Sequence, residues 1–448
     1  MMNVLFISHS DFRSNSLTHI ASFASGLTKL GHTCAVAVPS KAHTITAVPS
    51  PAFRPLLYAD ILKKPACFPN GGTADIIHAW TPRHHVAACT IAYQRLLARP
   101  ARLIVHLEDN EEHLTEQTGG MPLAALREAG PAAWESLLKR RLAHPWLHRL
   151  FLHAADAITY ITPALFQFVP AGIPSHLLLP AVDPTFFAIG PADIEVRRAL
   201  ALPEAARLVV YPGGANPFTC RELRDLYQAV MLLNNQGHCT RLIRTGASPA
   251  WFLEQLTPEE HAAAIHLGFV DRERIPGLLA LADVLVQPGQ RGAFNDYRLP
   301  SKLAEFLAAG RPVVMPATNI ASQLTNGRDA LFLYEGSSEE IAARCLDIFV
   351  DPELAQRLGQ NARIAARRLF DPDQQSQLLA EIYHETIAQP TSVVSWSAPR
   401  NSNYDETALF PSTVADPELQ EILNWVRSQP APSPTVWCRL LSCFRSKP

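Results

Sequence analysis

The sequence predicts an α/β protein of two doubly wound parallel sheets, facing one another across a cleft, and three observations lead there. Short β runs alternate with helical stretches through most of the chain, the pattern of parallel sheets covered by helices on both faces. That alternation runs from "NVLFIS" to "HLLLPAVD", then restarts at "RLVVYPGG". At 448 residues the chain is also too long for one ordinary core, which argues for two domains plus extras.

The first half opens with the strand "NVLFIS", the helical "LTHIASFASGLTKL", a turn at Gly31-His32 and the strand "TCAVAV". "DIIHAW", "RLIVHL", "DAITYIT" and "HLLLPAVD" continue as strands. Residues 110–150, rich in charge and His, follow "RLIVHL" as an insertion. It reads as helical with a mobile start, lying over the ligand edge as a surface excursion or as an acceptor lid. A junction near "AVDPTFFAIG" leads to "RLVVYPGG", "CTRLIRTG", "AIHLGFV", "DVLVQPG", "RPVVMP" and "DALFLY", each trailed by a helical segment. The expected domains are 1–188 with the insertion, 189–372, a closing helix at 373–390, and a linker and tail at 391–448.

Composition narrows the function classes. With 39 basic and 41 acidic residues the net charge is −2, so no global field draws nucleic acid. Eight Cys lie scattered without CxxC spacing, which argues against a zinc site or disulfide framework and for a reducing compartment. "MMNVLFISHSDF" has neither a basic n-region nor an apolar run long enough to export or span, so the expected location is cytoplasmic. The tail "TVWCRLLSCFRSKP" sets Trp437, Leu440, Leu441 and Phe444 among Arg439, Arg445 and Lys447. It reads equally as peripheral contact with the inner membrane face or as a helix packed back on the protein.

In an open parallel sheet ligands collect at the carboxyl ends of strands. His9, His78 and His106 each follow a strand there. Singly they read as structural; together they form a set able to orient hydroxyls or pair with phosphate. Glu108 and Asp109 come next, as sugar-hydroxyl acceptors or as a solvated face. In the second half the Gly213-Gly214 turn leads to "TCRE", a predicted capping box of Thr219 and Glu222. Arg221 in that first turn adds a full charge to an anion site, or is a plain surface Arg.

The stretch "FNDYRLPSKLAEFLAAGRPVVMP" repeats the pattern. A polar loop with Arg291 and Arg298 precedes a helix begun by Pro300 and ended by Gly310. Ser301 and Lys302 stand at its positive end, and Glu305 lies about 5 Å, one turn, further in. This offset suits a diphosphate at the helix end and a ribose diol at the carboxylate. The alternative is an i,i+3 ion pair of Lys302 with Glu305, worth about 0.2–0.5 kcal/mol.

The order "LGFV", "ADVLVQPG", "PSKLAEFLAAGRPVV" and "NGRDALFLYEGSSEEIAARCLDI" resembles the retaining glycosyltransferases of family 4, which have the GT-B fold. "NVLFISHS" with "GLTKLGH", "DIIHAWTP" and "ADAITYITPAL" extend the likeness over most of residues 3–390. The resemblance implies a nucleotide-diphosphate sugar donor held mainly by the second domain. Glu305 would bind the ribose, Arg221 and the Ser301-Lys302-Leu303 helix start the diphosphate, and backbone around Gly268, Phe269 and Val270 the base. His106, with His78 as rival, matches the family's first-domain His. No metal or other cofactor is implied, anomeric configuration is retained, and the acceptor is a glycan or lipid-linked saccharide of surface glycan synthesis.

The pattern departs from the family in three places. Tyr297 stands where the first of two Glu is usual, with Asp296 as the candidate replacement. Ser14, Asn15 and Ser16 replace a Gly-Gly pair, and Ala215 and Asn216 occupy the place of a second basic residue, a role left to Lys302 or Arg298. A sugar-nucleotide epimerase and a non-catalytic nucleotide- or glycan-binding protein are the competing functions.

Overall fold

The computed structural model describes residues 1–390 except positions 49 and 130, together with Gln420. The predicted linker and amphipathic tail therefore lie outside the described residues, Gln420 excepted. The chain divides into two compact units, Met1–Ala181 with the chain from Pro372 on, and Val182–Asp371.

Seven parallel strands make the sheet of the first unit: β1 (Asn3–Ser8), β2 (Thr33–Val38), β3 (Arg54–Leu57), β4 (Ile76–Trp80), β5 (Arg102–Leu107), β6 (Ala157–Tyr160) and β7 (Ser175–Leu177). Their order is β3-β2-β1-β4-β5-β6-β7. Val4, Leu5, Phe6 and Ile7 have no exposure, because a strand covered on both faces needs apolar residues at every position. β3 is absent from the sequence reading. Its "RPLL" has a Pro and an exposed Arg and, among the described residues, pairs with β2 alone, as an edge strand tolerates.

The Asn15–Lys29 helix starts where the Ser14 hydroxyl accepts from the Leu17 N–H at 3.3 Å. It buries Leu17, Ile20, Phe23, Ala24 and Leu27, a three-and-four spacing that makes one apolar face. The Pro372–Ala388 helix returns to this unit, and its Leu379, Ile382 and Tyr383 join the same core cluster as Ile20, Phe23 and Trp80. The approach is close: a Cβ on Gly26 would overlap Ser376.

The insertion folds into helices Glu111–Gly119, Leu123–Ala129, Pro131–Lys139 and Leu147–His153. Its first turn is fixed by Glu111, which is 5 % exposed and accepts from Arg83 Nε at 2.8 Å.

The second unit holds β8 (Arg207–Pro212), β9 (Thr240–Thr245), β10 (Ala264–His266), β11 (Val284–Val286), β12 (Val313–Pro316) and β13 (Leu331–Leu333), ordered β10-β9-β8-β11-β12-β13 and all parallel. In both sheets the chain winds outward one way and then the other. The crevices at that reversal, between β1 and β4 and between β8 and β11, are where such folds bind ligands.

Candidate functional site

In the second unit, β8 ends in Gly213-Gly214, and the loop after β11 leads into the Ser301–Ala309 helix. The glycines are needed for close approach. A Cβ on Gly213 would stand 2.8 Å from the Tyr211 ring and 3.0 Å from Lys302 Nζ; one on Gly214 would stand 2.8 Å from Ala247 N. Lys302 Nζ donates to the Tyr211 hydroxyl at 3.2 Å and sits 4.5 Å from that ring's centroid, a cation–π contact.

The alternative Lys302–Glu305 ion pair does not form. Lys302 turns back towards β8, while Glu305 accepts from Arg272 Nη2 at 2.7 Å. Among the described residues no side chain caps the first turn of the Ser301–Ala309 helix; the Leu303 N–H donates to the Pro300 carbonyl at 2.9 Å, which leaves the Ser301 and Lys302 N–H groups for a ligand. Leu303 is fully buried and offers only backbone.

The predicted capping box is also absent. Thr219 has φ −122° and ψ 3° and makes no side-chain cap bond. Glu222 accepts instead from the Asn295 amide and lies 3.8 Å from Arg298, tying the Cys220–Asn235 helix to the loop after β11. Burial raises the Glu222 carboxyl, against the pull of Asn295 and Arg298. Arg298 lies 4.1 Å over the Phe294 ring, and Phe294 stacks on Phe218 at 5.7 Å.

Arg221 is exposed in the first turn of its helix. Asp296 accepts from the Thr318 hydroxyl and stands 3.9 Å from Arg291. Gly268, at φ +64°, accepts from Gly246 N at 2.6 Å. The neighbouring Phe269 is 89 % exposed, an aromatic face with no packing role, and Val270 follows it.

The sequence reading missed Arg244, which has no exposure at all. Register places it between Tyr211 and His266 in adjacent strands. Its Nη2 donates to the Ala247 carbonyl at 3.0 Å and to the Ser248 hydroxyl, whereas Nε and Nη1 have no partner. Burial pushes this guanidinium below its ordinary pKa. Through Ala247 it supports the backbone against which Gly214 packs. An Arg inside the apolar run "TRLIRTG" was the available signal.

In the first unit, His9 and His106 come to the carboxyl edge and His78 does not. β4 runs on to Trp80, so His78 sits mid-strand with no exposure, in hydrogen-bond contact with the Tyr383 hydroxyl at 2.9 Å and the Thr159 hydroxyl at 3.1 Å. It is a satisfied core residue. His106 Nδ1 meets the Thr159 hydroxyl at 2.8 Å and its Nε2 has no partner. Burial takes the His106 pKa down to about 3. Burial and then the Arg83 charge take His9 to about 3, so both imidazoles are neutral.

Glu108 accepts from the Ser16 hydroxyl at 2.5 Å and lies 3.5 Å from His19 Nδ1. Burial alone would raise its carboxyl; His19, His106 and His9 outweigh burial and hold it well below the usual carboxylate range. Ser16 and His19, one turn apart on the Asn15–Lys29 helix, were missed because their role depends on meeting Glu108 from another strand. Asn15 is exposed at the start of that helix, and Asp109 stands 3.8 Å from Arg83. Burial lifts Glu111 to about 7 despite its bond to Arg83.

Among the described residues no group of three or more His, Cys, Asp or Glu is placed to hold a metal ion. No described helix is long and apolar enough to cross a membrane.

Residues 206–351, covering β8–β13 and their helices, match the family model "Glycosyl transferases group 1". Comparison with curated proteins gives no match. Among solved structures, the chain is similar to Anabaena HepE in complex with UDP and glucose, with 15 % identity over 86 % of this chain and 100 % of that one, at TM-score 0.65. Sucrose-phosphate synthase from Thermosynechococcus elongatus gives 15 % identity, 87 % and 100 % coverage and TM-score 0.60. WaaG, a glycosyltransferase involved in lipopolysaccharide biosynthesis, gives 15 % identity, 85 % and 99 % coverage and TM-score 0.58. With a Rossmann-like sheet in each unit, these likenesses establish the fold as GT-B.

Proposed function

We propose that the protein is a glycosyltransferase that moves a sugar from a nucleoside-diphosphate donor to a hydroxyl acceptor. One observation carries this reading: at the switch point of the second unit, Lys302 stands in the first turn of its helix beside the Gly213-Gly214 turn, and Arg221 is exposed in the first turn of the helix that follows this turn; neither has a carboxylate at ion-pair distance among the described residues. A cation and a helix amino end at this crevice, with a second cation on the first turn of the neighbouring helix, fit a diphosphate. The match of this unit to the glycosyltransferase family model supports the reading, as does the UDP held by HepE.

As the bond from the anomeric carbon to the diphosphate oxygen stretches, charge grows on that oxygen. Lys302, Arg221 and the N–H groups at Ser301 and Lys302 stabilise it, Leu303 lying behind them with its own N–H on the Pro300 carbonyl, and fixed donors need no reorganisation at the moment of reaction. With those cations present no metal is required. Glu305 takes the ribose hydroxyls, with Arg272 released or shared. Gly268, Phe269 and Val270 line the base, Asp296 meets the donor sugar, and Arg298 supports the loop through Asn295.

In the first unit the neutral His106 and His9, with Glu108, Asp109 and Asn15, orient acceptor hydroxyls. On this reading anomeric configuration is retained, and the acceptor is a glycan or lipid-linked saccharide of surface glycan synthesis, with the protein at the inner membrane face.

The test is incubation with a panel of UDP-, GDP- and ADP-sugars and glycan acceptors, alongside Lys302→Ala. Transfer that depends on acceptor and falls about 100-fold in the variant supports the proposal. Conversion of a nucleotide sugar without acceptor would show an epimerase. Nucleotide binding with no consumption would show a binding protein.

A further inference from the structure

At the other edge of the second unit's sheet, before β11 and β12 begin, lies an open pocket of about 690 Å³ lined by Arg311, Arg363, Arg367, Gln356, Gln360 and Asp283. That volume is within the usual range for ligand sites, roughly 300–1,000 Å³. Nothing in the donor reading uses it.

Two of the three arginines carry more donors than the local structure uses, and the third, the exposed Arg367, lies 5.0 Å over the Phe187 ring. Arg363 Nη2 donates to the Ala309 carbonyl at 2.8 Å and the Ile189 carbonyl at 2.9 Å, finishing the last turn of the Ser301–Ala309 helix. Arg311 Nη2 donates to the Gly190 carbonyl at 3.0 Å. These bonds employ one nitrogen of each guanidinium, and the Nε of both is buried without a partner among the described residues. Asp283, the acid on the lining, is already committed to Arg207 at 3.0 Å and the Leu208 N–H at 2.8 Å.

Burial and the neighbouring Arg363 charge push Arg311 below its ordinary pKa. The crowding is built in: Gly310, at φ +67°, lets Arg363 pass where a Cβ would stand 2.5 Å from its Nε. Gly359 lets the Pro352–Phe370 helix reach the Gly310 carbonyl, again at 2.5 Å from the Cβ position. Asp283 opposes this push but is shared with Arg207, and like charges packed together with so little counter-charge are unfavourable until an anion joins them. A phosphate with three equivalent oxygens is the group that several guanidinium forks and amide donors match.

We propose that this pocket binds a phosphate monoester, carried by a small soluble molecule or by a lipid headgroup. Arg311 and Arg367 supply the charge, and Gln356 and Gln360 the neutral donors.

The test uses the full chain, with glycerol 3-phosphate in calorimetry and vesicles of phosphatidic acid against phosphatidylcholine in sedimentation. Arg367→Gln and Arg311→Gln with Arg367→Gln are compared with Lys302→Ala, which reports the opposite edge; Arg363 is left intact because it holds a helix end. The single exposed change guards against misfolding of the double one. Affinity about tenfold weaker in the Arg variants and kept in Lys302→Ala supports the site.

If sedimentation with phosphatidic acid falls in the same variants, the lipid is the source. If only the free ester responds, the source is soluble. Affinity unchanged in the Arg variants, loss in Lys302→Ala of equal size, or binding of neither probe overturns the proposal.

Discussion

Glu305 is held by Arg272 at 2.7 Å, so a ribose that takes this carboxylate must displace or share the guanidinium. The Arg272 side chain is 46 % exposed, and such a pair is worth under about 1 kcal/mol. A charge-assisted bond to ribose is worth about 1.5–3 kcal/mol. Glu305→Ala should therefore weaken nucleotide binding by that amount in calorimetry, while Arg272→Ala leaves affinity unchanged or a few-fold tighter. Weaker binding in Arg272→Ala would make it a ligand rather than a competitor. Arg221→Ala, a change at an exposed position, should shift stability by no more than about 0.5 kcal/mol yet lower turnover about 100-fold; parallel losses in turnover and in melting temperature would reduce Arg221 to a surface residue. The placement of Arg221, Lys302 and the two glycines at strand-to-helix junctions was legible because each junction lies in one continuous stretch. Arg244, Arg272, Ser16 and His19 were not, since each acts through a partner distant in sequence. Thr219–Glu222 was misread for a related reason: a tertiary partner, Asn295, took the carboxylate that local spacing had paired, just as Tyr211 and Arg272 take the groups of the alternative Lys302–Glu305 pair.

The strands were legible wherever burial on both faces forces an apolar run, as in β1, β5 and β8, and illegible where an edge relaxes that demand, as in β3. Ending β4 at Ile77, when it runs on to Trp80, was enough to misplace His78. The strands and helices of the first unit also create a pH response. His78, His84, His85, His106 and His144 are buried; burial takes His84 to about 4 and His106 to about 3, and puts the other three well below their ordinary value. Folded, they stay neutral, whereas in the unfolded chain they take up protons near pH 6.5. The folded state binds fewer protons, so the stability they contribute is present above about pH 6.5 and lost as pH falls towards the folded values. Glu111, lifted to about 7, has the opposite sign and gains on acidification, but one group cannot outweigh five. From about pH 7.5 to about pH 5.5 each His should cost about 1 kcal/mol. Urea melts at the two pH values should show a lower midpoint in acid; an unchanged or higher midpoint would mean that these imidazoles are protonated in the folded state.

Over the whole molecule, two successive βα alternations made the double Rossmann-like architecture legible, while the strand order and the return of the last helix were not, because both are long-range pairings. The Pro372–Ala388 helix closes the core of the first unit with Tyr383, fully buried against His78. Tyr383→Ala should destabilise that unit by about 3–5 kcal/mol, the usual range for deleting a large buried aromatic, and Tyr383→Phe by about 1–3 kcal/mol for the polar group left unpaired. Equal effects of the two changes in chemical denaturation would show that the hydroxyl, rather than the ring, does the packing. The central claim is that the switch point of the second unit holds a nucleoside diphosphate between Arg221, Lys302 and a helix end. Calorimetric titration with UDP, GDP and ADP, with Lys302→Ala alongside, tests it most directly. The account predicts that one of the three binds at micromolar affinity and that the variant binds it about tenfold or more weakly. Binding of none, or affinity indifferent to Lys302, would contradict it and leave a GT-B fold without donor chemistry at this site.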